Sequence, residues 1–234
     1  QATAILEMRL QKLAGLERKK IEDQLLAVQA FIKECQDILK NPKRVLAIIK
    51  TELNEISPLL QKTIIEKEDK WFYYHPGINL FALGRALIYN AFNGRRTSGA
   101  STITMQVARM LEPKKRTIWN KIREMFRALQ LELKYSKKEI LQIYINLVPY
   151  GGNIEGVKSA SVLYLKKNPD HLSLAEIVAL SIIPNRPNSL RIGVNNNLII
   201  TQRNKWLNRF AQEKVFSFKE IQDALKETLE IQRN

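Results

Sequence analysis

Apolar positions recur at helical spacing along almost the whole chain. In residues 1–56, Ile5, Met8, Leu10, Leu13 and Leu16 begin a pattern that Leu25, Leu26, Val28, Phe31, Ile32, Ile38 and Leu39 continue. Gly15 interrupts it. Asn41-Pro42 breaks it before a second helix expected from Pro42 to about Ile56. This spacing predicts a helical hairpin or coiled-coil arm with a wide apolar face. Ser57-Pro58 opens the next helix, expected to run into Glu68. Residues 78–93 are apolar and aromatic, and Asn93-Gly94 ends them. Helical patterns follow over 101–111, 117–135, 136–147, 154–165, 173–183, 197–213 and 217–232. Three of these open on a capping box: Ser136 with Glu139, Ser173 with Glu176, and Ser217 with Glu220. No alternating stretch is long enough to predict a strand. The expected fold class is all-α, or nearly so.

Charge adds a direction. The net charge is +15 over 234 residues. Residues 1–56 carry ten Lys and Arg against eight Asp and Glu, a net +2; residues 57–234 carry the remaining +13. Between Arg109 and Lys138 stand ten basic and three acidic residues. That density suits a polyanionic partner (nucleic acid, an acidic membrane surface or a phosphorylated ligand), or else a solvated basic face. Cys35 is the single cysteine, which excludes an intrachain disulfide and cysteine-rich zinc sites. His75 and His171 are far apart in sequence, so a histidine-based metal site is not expected. No apolar run reaches about eighteen residues and no signal-peptide pattern opens the sequence, so as it stands it is not expected to span a membrane or direct its own export.

The chemistry-bearing residues lie in two blocks. Glu68-Asp69-Lys70-Trp71-Phe72-Tyr73-Tyr74-His75-Pro76-Gly77 sets an acid pair and a histidine among four aromatics. Gly99-Ala100-Ser101-Thr102-Ile103-Thr104-Met105-Gln106 is a loop of small and hydroxyl residues that turns straight into a helical pattern. A carboxylate beside Trp71 and Phe72 suits general acid or base work if partly desolvated; the bland alternative is an exposed acidic helix end. Glu124, flanked by Lys121, Arg123 and Arg127, is a second candidate acid or a simple ion-pair partner. Arg109, Arg116, Arg123 and Arg127 are seven, seven and four apart, and Pro113 is expected to interrupt any helix through them. Several convergent cations suit a pyrophosphate.

Glu68-Asp69-x-x-Phe72-x-x-His75-x-Gly77 resembles the first motif of the peptidoglycan glycosyltransferases, glycosyltransferase family 51, the glycan-polymerising module of class A penicillin-binding proteins. The block from Gly99 to Gln106 resembles the second motif, and Lys121-Ile122-Arg123-Glu124 the third. Lys137-Lys138-Glu139-Ile140-Leu141-x-x-Tyr144-Ile145-Asn146 resembles the fourth, and Gly156-Val157-Lys158-Ser159-Ala160-Ser161 with Tyr164 the fifth. The five stand in family order over about residues 57–190. Met105 and the run from Pro149 to Gly156 look most like the type 1c branch. Asn120, where an arginine is common, and Leu165, where phenylalanine is frequent, depart from the pattern.

The resemblance implies a lysozyme-like, mostly helical fold and polymerisation of lipid II with inversion at the anomeric carbon. By position, Glu68 would be the general base for the acceptor's 4-hydroxyl, and Glu124 the second catalytic carboxylate. Arg109, Arg116 and Arg123 would surround the undecaprenyl pyrophosphate leaving group, with Lys137 helping to hold the phosphates. Ser101, Thr102 and Gln106 would hydrogen-bond substrate, and Asp69, His75 and Lys121 complete the expected substrate-binding set. A divalent cation, Mg or Mn, at the pyrophosphate is a family expectation. The implied partners are lipid II, the growing glycan and a membrane surface at the outer face of the bacterial cytoplasmic membrane; no nucleic acid is expected for 57–234. Residues 78–93 would be a membrane-touching segment or ordinary core. The nearest alternative is a lysozyme-like hydrolase or lytic transglycosylase, in which a convergent arginine set has no purpose. No Ser-x-x-Lys nucleophile motif with its supporting elements is found.

The segment from Gln1 to Arg18 resembles the end of the coiled-coil arm of bacterial type IIA topoisomerase A subunits, and residues 19–56 continue the likeness with Ile38-Leu39 and Arg44-Val45-Leu46-x-Ile48-Ile49. This implies a homodimerising arm, or a helical appendage, joined to the second segment near Asn54 to Ser57. A fusion of two unrelated proteins is the expectation; a linker helix that merely resembles the arm, and a DNA-associated or dimerising module acting through 1–56, are the alternatives.

Overall fold

The computed structural model describes residues 19, 51–93, 100–151, 154–185, 189–190 and 194–229. Contacts divide the chain into a unit of residues 1–46 and one of residues 47–234; the second is described here. The arm expected over 1–56 lies outside the described residues except for Lys19 and 51–56. At 51–56 the expected helix is absent: a single 3-10 turn, Leu53–Glu55, stands between extended residues, closed by the side chain of Glu55 on the Glu52 amide. These residues pack with the second unit. The Asn146 side-chain amide accepts from Thr51 N and donates to Thr51 O, both at 2.9 Å, and Gln142 donates to Glu52 at 2.7 Å.

The architecture is mostly helical, as the periodicity predicts. In order come α1 (Pro58–Glu68), a 3-10 turn (Phe72–Tyr74), α2 (Leu80–Asn93), α3 (Ile103–Leu111), α4 (Ile118–Lys134) and α5 (Lys137–Leu147). A short hairpin follows, β1 (Pro149–Gly151) antiparallel to β2 (Ile154–Glu155), then α6 (Val157–Ala160) running into a π-turn (Ser161–Leu165). The chain closes with α7 (Leu174–Ile182), α8 (Asn196–Gln212) and α9 (Phe218–Lys226). The hairpin replaces the first turn of the helix expected from residue 154, because three residues paired to two are too short to show alternation.

Hydroxyl caps start most of these helices. Ser57 accepts from Leu60 N with Pro58 at the first helical position, Thr102 from Met105 N, and Thr117 from Asn120 N. All three expected capping boxes are present, at Ser136, Ser173 and Ser217. The break between α3 and α4 falls where Pro113 predicts it.

Every residue of α7 is buried. It packs against α1, α8 and α9, and its Leu174, Ala175 and Val178 join Leu207, Phe210, Phe216 and Ile221 in one cluster. A second layer forms where α3 packs on both α4 and α5. Ile103, Met105, Val107, Ile140, Leu141 and Ile145 are its fully covered side chains. The C-terminal end of α1 and the N-terminal end of α3 are brought together by the turn between Asp69 and Gly77.

That turn depends on one glycine. Gly77 has a φ of +88°, and a Cβ there would lie 2.9 Å from the Ala128 carbonyl oxygen and 2.8 Å from Glu132 Cγ. Gly77→Ala would strain the backbone and push α4 away. We expect it to lower unfolding stability by about 2 kcal/mol or more, read as a lowered urea midpoint; an unchanged midpoint would contradict this account of the turn.

Candidate active site

Glu68 is the last residue of α1, and its side chain is 8% exposed. Gln106, one turn into α3, donates from Nε2 to Glu68 Oε2 at 3.0 Å. The Lys67 ammonium ion-pairs with the other oxygen, Oε1. Two buried tyrosines lie within its electrostatic reach, Tyr144 of α5 and Tyr150 of β1. Burial pushes both phenols well above the ordinary tyrosine range, and the Glu68 charge pushes them further; Arg109 partly offsets this at Tyr144. Glu68 is therefore a carboxylate set in a pocket of polar groups, and not an exposed acidic helix end.

Asp69 is wholly engaged by the fold. Its carboxylate takes the His75 Nε2 bond at 2.9 Å to Oδ1 and 3.0 Å to Oδ2, and accepts the Ile103 N–H at 3.0 Å. The adjoining Thr102 hydroxyl donates to Gly77 O at 2.6 Å and accepts from Met105 N, and the residue is 2% exposed. Lys137 donates to His75 O and to Glu132 Oε1, each at 2.7 Å, with its ammonium 4.5 Å from the centroid of the Phe72 ring. Thr104 donates to the same Glu132 oxygen at 2.5 Å. In this state Asp69, His75, Thr102 and Lys137, expected to meet substrate, hold the frame around it instead.

Beyond the Ser101–Gln106 segment lies the cationic part. Lys121 donates to Ser101 Oγ at 2.6 Å and to Glu124 Oε2 at 2.9 Å. Arg123, Glu124 and Arg127 line a small hollow with Glu112, Lys114 and Asn120. Glu112 pairs with Arg127 at 3.0 Å and with Lys114 at 3.6 Å. Arg116 stands apart, exposed in the linker between α3 and α4. Thus Glu68 with Gln106, and Ser101 with Lys121 and Glu124, are gathered around the start of α3, while Arg109 leaves its last turn towards Tyr144. Among the described residues no group of three His, Cys, Asp or Glu is placed to hold a metal ion.

Three contributors were not picked out by sequence reasoning as site residues. Lys67 carries no signal beyond its place beside Glu68. Glu132 reads as one more charge on an amphipathic helix. Tyr150 falls in a loop-like run whose burial only the hairpin creates.

A family profile described as Transglycosylase matches residues 36–211. The chain belongs to the Transglycosylase family. Its match begins inside the segment expected to be an arm, so only residues 1–35 of that arm precede the matched region. This family chain is 41% identical over 177 residues to penicillin-binding protein 1C of Escherichia coli K12, covering 76% of this chain and 23% of that protein. It is 33% identical over 184 residues to penicillin-binding protein 1A of Neisseria gonorrhoeae, covering 78% of this chain and 23% of that protein. The chain thus spans about a quarter of the length of the curated relatives it matches. The expected membership among class A penicillin-binding-protein glycosyltransferases is borne out, and the higher identity to a 1C protein agrees with the 1c branch. A crystal structure of penicillin-binding protein 1A from Haemophilus influenzae is 23% identical over 56% of this chain and 17% of that one, with a TM-score of 0.40, too low to add to the description of the fold.

The two buried tyrosines set a pH dependence for this transglycosylase-family domain. In the unfolded chain both phenols ionise near pH 10, whereas in the fold they keep their protons to higher pH. Above pH 10 the folded state therefore binds more protons, and stability falls as pH rises. The expected slope is up to about 1.4 kcal/mol per pH unit for each phenol. Urea titrations between about pH 9 and 11 should show the decline, and Tyr150→Phe should make it shallower; parallel curves would exclude the tyrosines as its source.

Proposed function

We propose that this chain polymerises lipid II into glycan strands, with inversion, using Glu68 as general base. The observation that carries the reading is the Glu68 carboxylate, 8% exposed and bonded to Lys67 and Gln106, set beside a cation-rich region. Glycosyl transfer to a sugar hydroxyl needs a base on the acceptor side and a stabilised leaving group on the donor side. Glu68 takes the proton of the acceptor 4-hydroxyl as its oxygen bonds to the donor's anomeric carbon. The bond from that carbon to the pyrophosphate oxygen breaks, and the electron pair leaves with the pyrophosphate.

That leaving group is an anion before and after departure, so cations do the work that a general acid does in a hydrolase. Arg109, Lys121 and Arg123 are the candidates nearest the α3–α4 side, with Arg116 able to approach from the linker. Glu124 keeps Lys121 aligned with Ser101, a role for the second carboxylate that needs no proton transfer. A divalent cation riding on the pyrophosphate would find Glu112 and Glu124 nearby, but each is already ion-paired. The phosphates themselves would supply most of its ligands.

Substrate delivery from a lipid surface fits the exposed side chains of two helices. Leu80, Phe81, Ile88 and Tyr89 of α2 are exposed, and α4 exposes Ile118, Trp119, Ile122 and Phe126 at helical spacing. Lys114, Lys115 and Arg116 lie just before that stripe. Apolar and aromatic side chains beside cations suit the outer face of a cytoplasmic membrane, where anionic headgroups meet acyl chains. No helix among the described residues is long and apolar enough to cross a membrane.

Two measurements test the reading. Glu68→Gln should reduce polymer formation from lipid II by about 10²–10⁴ without unfolding the protein; polymerisation at the parent rate would remove Glu68 from the mechanism. Replacing both Ile122 and Phe126 by serine should weaken sedimentation with vesicles containing anionic phospholipid by about tenfold. Equal binding by parent and variant would move the membrane contact elsewhere.

A further inference from the structure

Resting on the reading of Glu68 as general base, we infer that Lys67 is the positioning residue for that carboxylate. Lys67 precedes Glu68 at the end of α1, and its side chain is 1% exposed. A cation so covered cannot reach a phosphate or a sugar, so it cannot serve as a substrate ligand. Its ammonium instead has the Glu68 carboxylate on one side and the face of Trp206, from α8, on the other, 5.4 Å from the ring centroid. Trp206 is held in turn, by the Arg209 guanidinium at 4.8 Å and the Phe210 ring at 5.6 Å.

Neighbours in sequence do not ordinarily face each other on a helix. Here the helix ends at Glu68, and the fixed Trp206 ring gives the ammonium a second partner. Lys67 therefore fixes Glu68 Oε1 while Gln106 of α3 fixes Oε2. Donors from two different helices define the plane of the carboxylate, and each oxygen keeps a further lone pair for the acceptor hydroxyl. The other groups within electrostatic reach of this carboxylate are Tyr144 of α5 and Tyr150 of β1. Both tyrosines keep their protons well above neutral pH. Lys67 is thus a cation bonded directly to this carboxylate, and orientation is what it supplies.

The test uses the full chain with Lys67→Met, Lys67→Arg and Glu68→Gln, each followed by lipid II polymerisation kinetics and a thermal unfolding curve. Lys67→Met should fold, keep the parent KM within about twofold and lose at least about tenfold in kcat, the scale expected when a reacting group is misaligned. Lys67→Arg, which keeps a cation on the ring, should recover most of that loss. A folded Lys67→Met with parent kcat would overturn the inference, as would an Arg variant no better than the Met variant. A Lys67→Met protein that fails to fold would overturn it too, by making Lys67 a structural residue only. Activity retained in Glu68→Gln would instead remove the reading of Glu68 as the base, whatever Lys67 does.

Discussion

A carboxylate buried to 8% exposure, Asp69, closes α1 and receives the first free N–H of α3. Burying a charge is costly unless it is hydrogen-bonded and placed in a favourable field. Asp69 meets both conditions, with His75 on both oxygens and the Ile103 N–H at 3.0 Å. It stands at the N-terminal end of α3, where the helix dipole favours an anion, while ending α1, where the dipole does not. The α3 contact therefore holds it in place. Because Asp69 is covalently next to Glu68, fixing one fixes the backbone of the other. Two adjacent acids do opposite jobs: one is tied down so that the other can be aimed.

A second knot depends on the first. The Asp69–His75 pair sets the course of the turn, whose carbonyls at His75 and Gly77 are taken by Lys137 and Thr102. Lys137 also takes Glu132, which Thr104 shares, so α3, α4 and α5 meet at one acidic side chain. Loss of any member would leave a buried polar group without its partner, at a cost of about 1–3 kcal/mol. These bonds tie together motifs that are far apart in sequence. They also explain why several of the motifs' polar residues face inwards.

The helices were legible in the sequence because their signals are local. Hydroxyl caps, Pro58, and apolar spacing each act within a few residues, and all three capping boxes formed. The hairpin and the π-turn were not legible: their residues are held by tertiary pairing, such as Gly156 N on Val148 O and Ser161 Oγ on Lys167 O. At the site, motif order identified Glu68, and the structure adds its bond to Gln106. Motif membership could not separate residues that touch substrate from residues that hold the frame. Thr102 and Lys137 look like ligands because they are polar and belong to the same set of motifs as Glu68; only the partners of each donor and acceptor reveal their inward bonds. The same limit hid Lys67, whose meaning comes from Trp206, a residue far along the chain.

The arrangement also bears on the proposed direction of the chemistry. A hydrolase acting on an uncharged glycan must protonate its leaving group, so it needs a carboxylic acid kept neutral beside the scissile oxygen. Glu68 is surrounded in the opposite sense. A cation and an amide donor hold its two oxygens, one on each. Glu124, the other candidate acid, is bonded to Lys121 and lines a hollow with Arg123 and Arg127. Both carboxylates are engaged by lysines, and Arg123 and Arg127 lie beside Glu124. Such a site has little means of expelling a sugar hydroxyl. Under the proposed reading it is suited to expelling a group that already carries negative charge, and this favours joining sugars over cutting them.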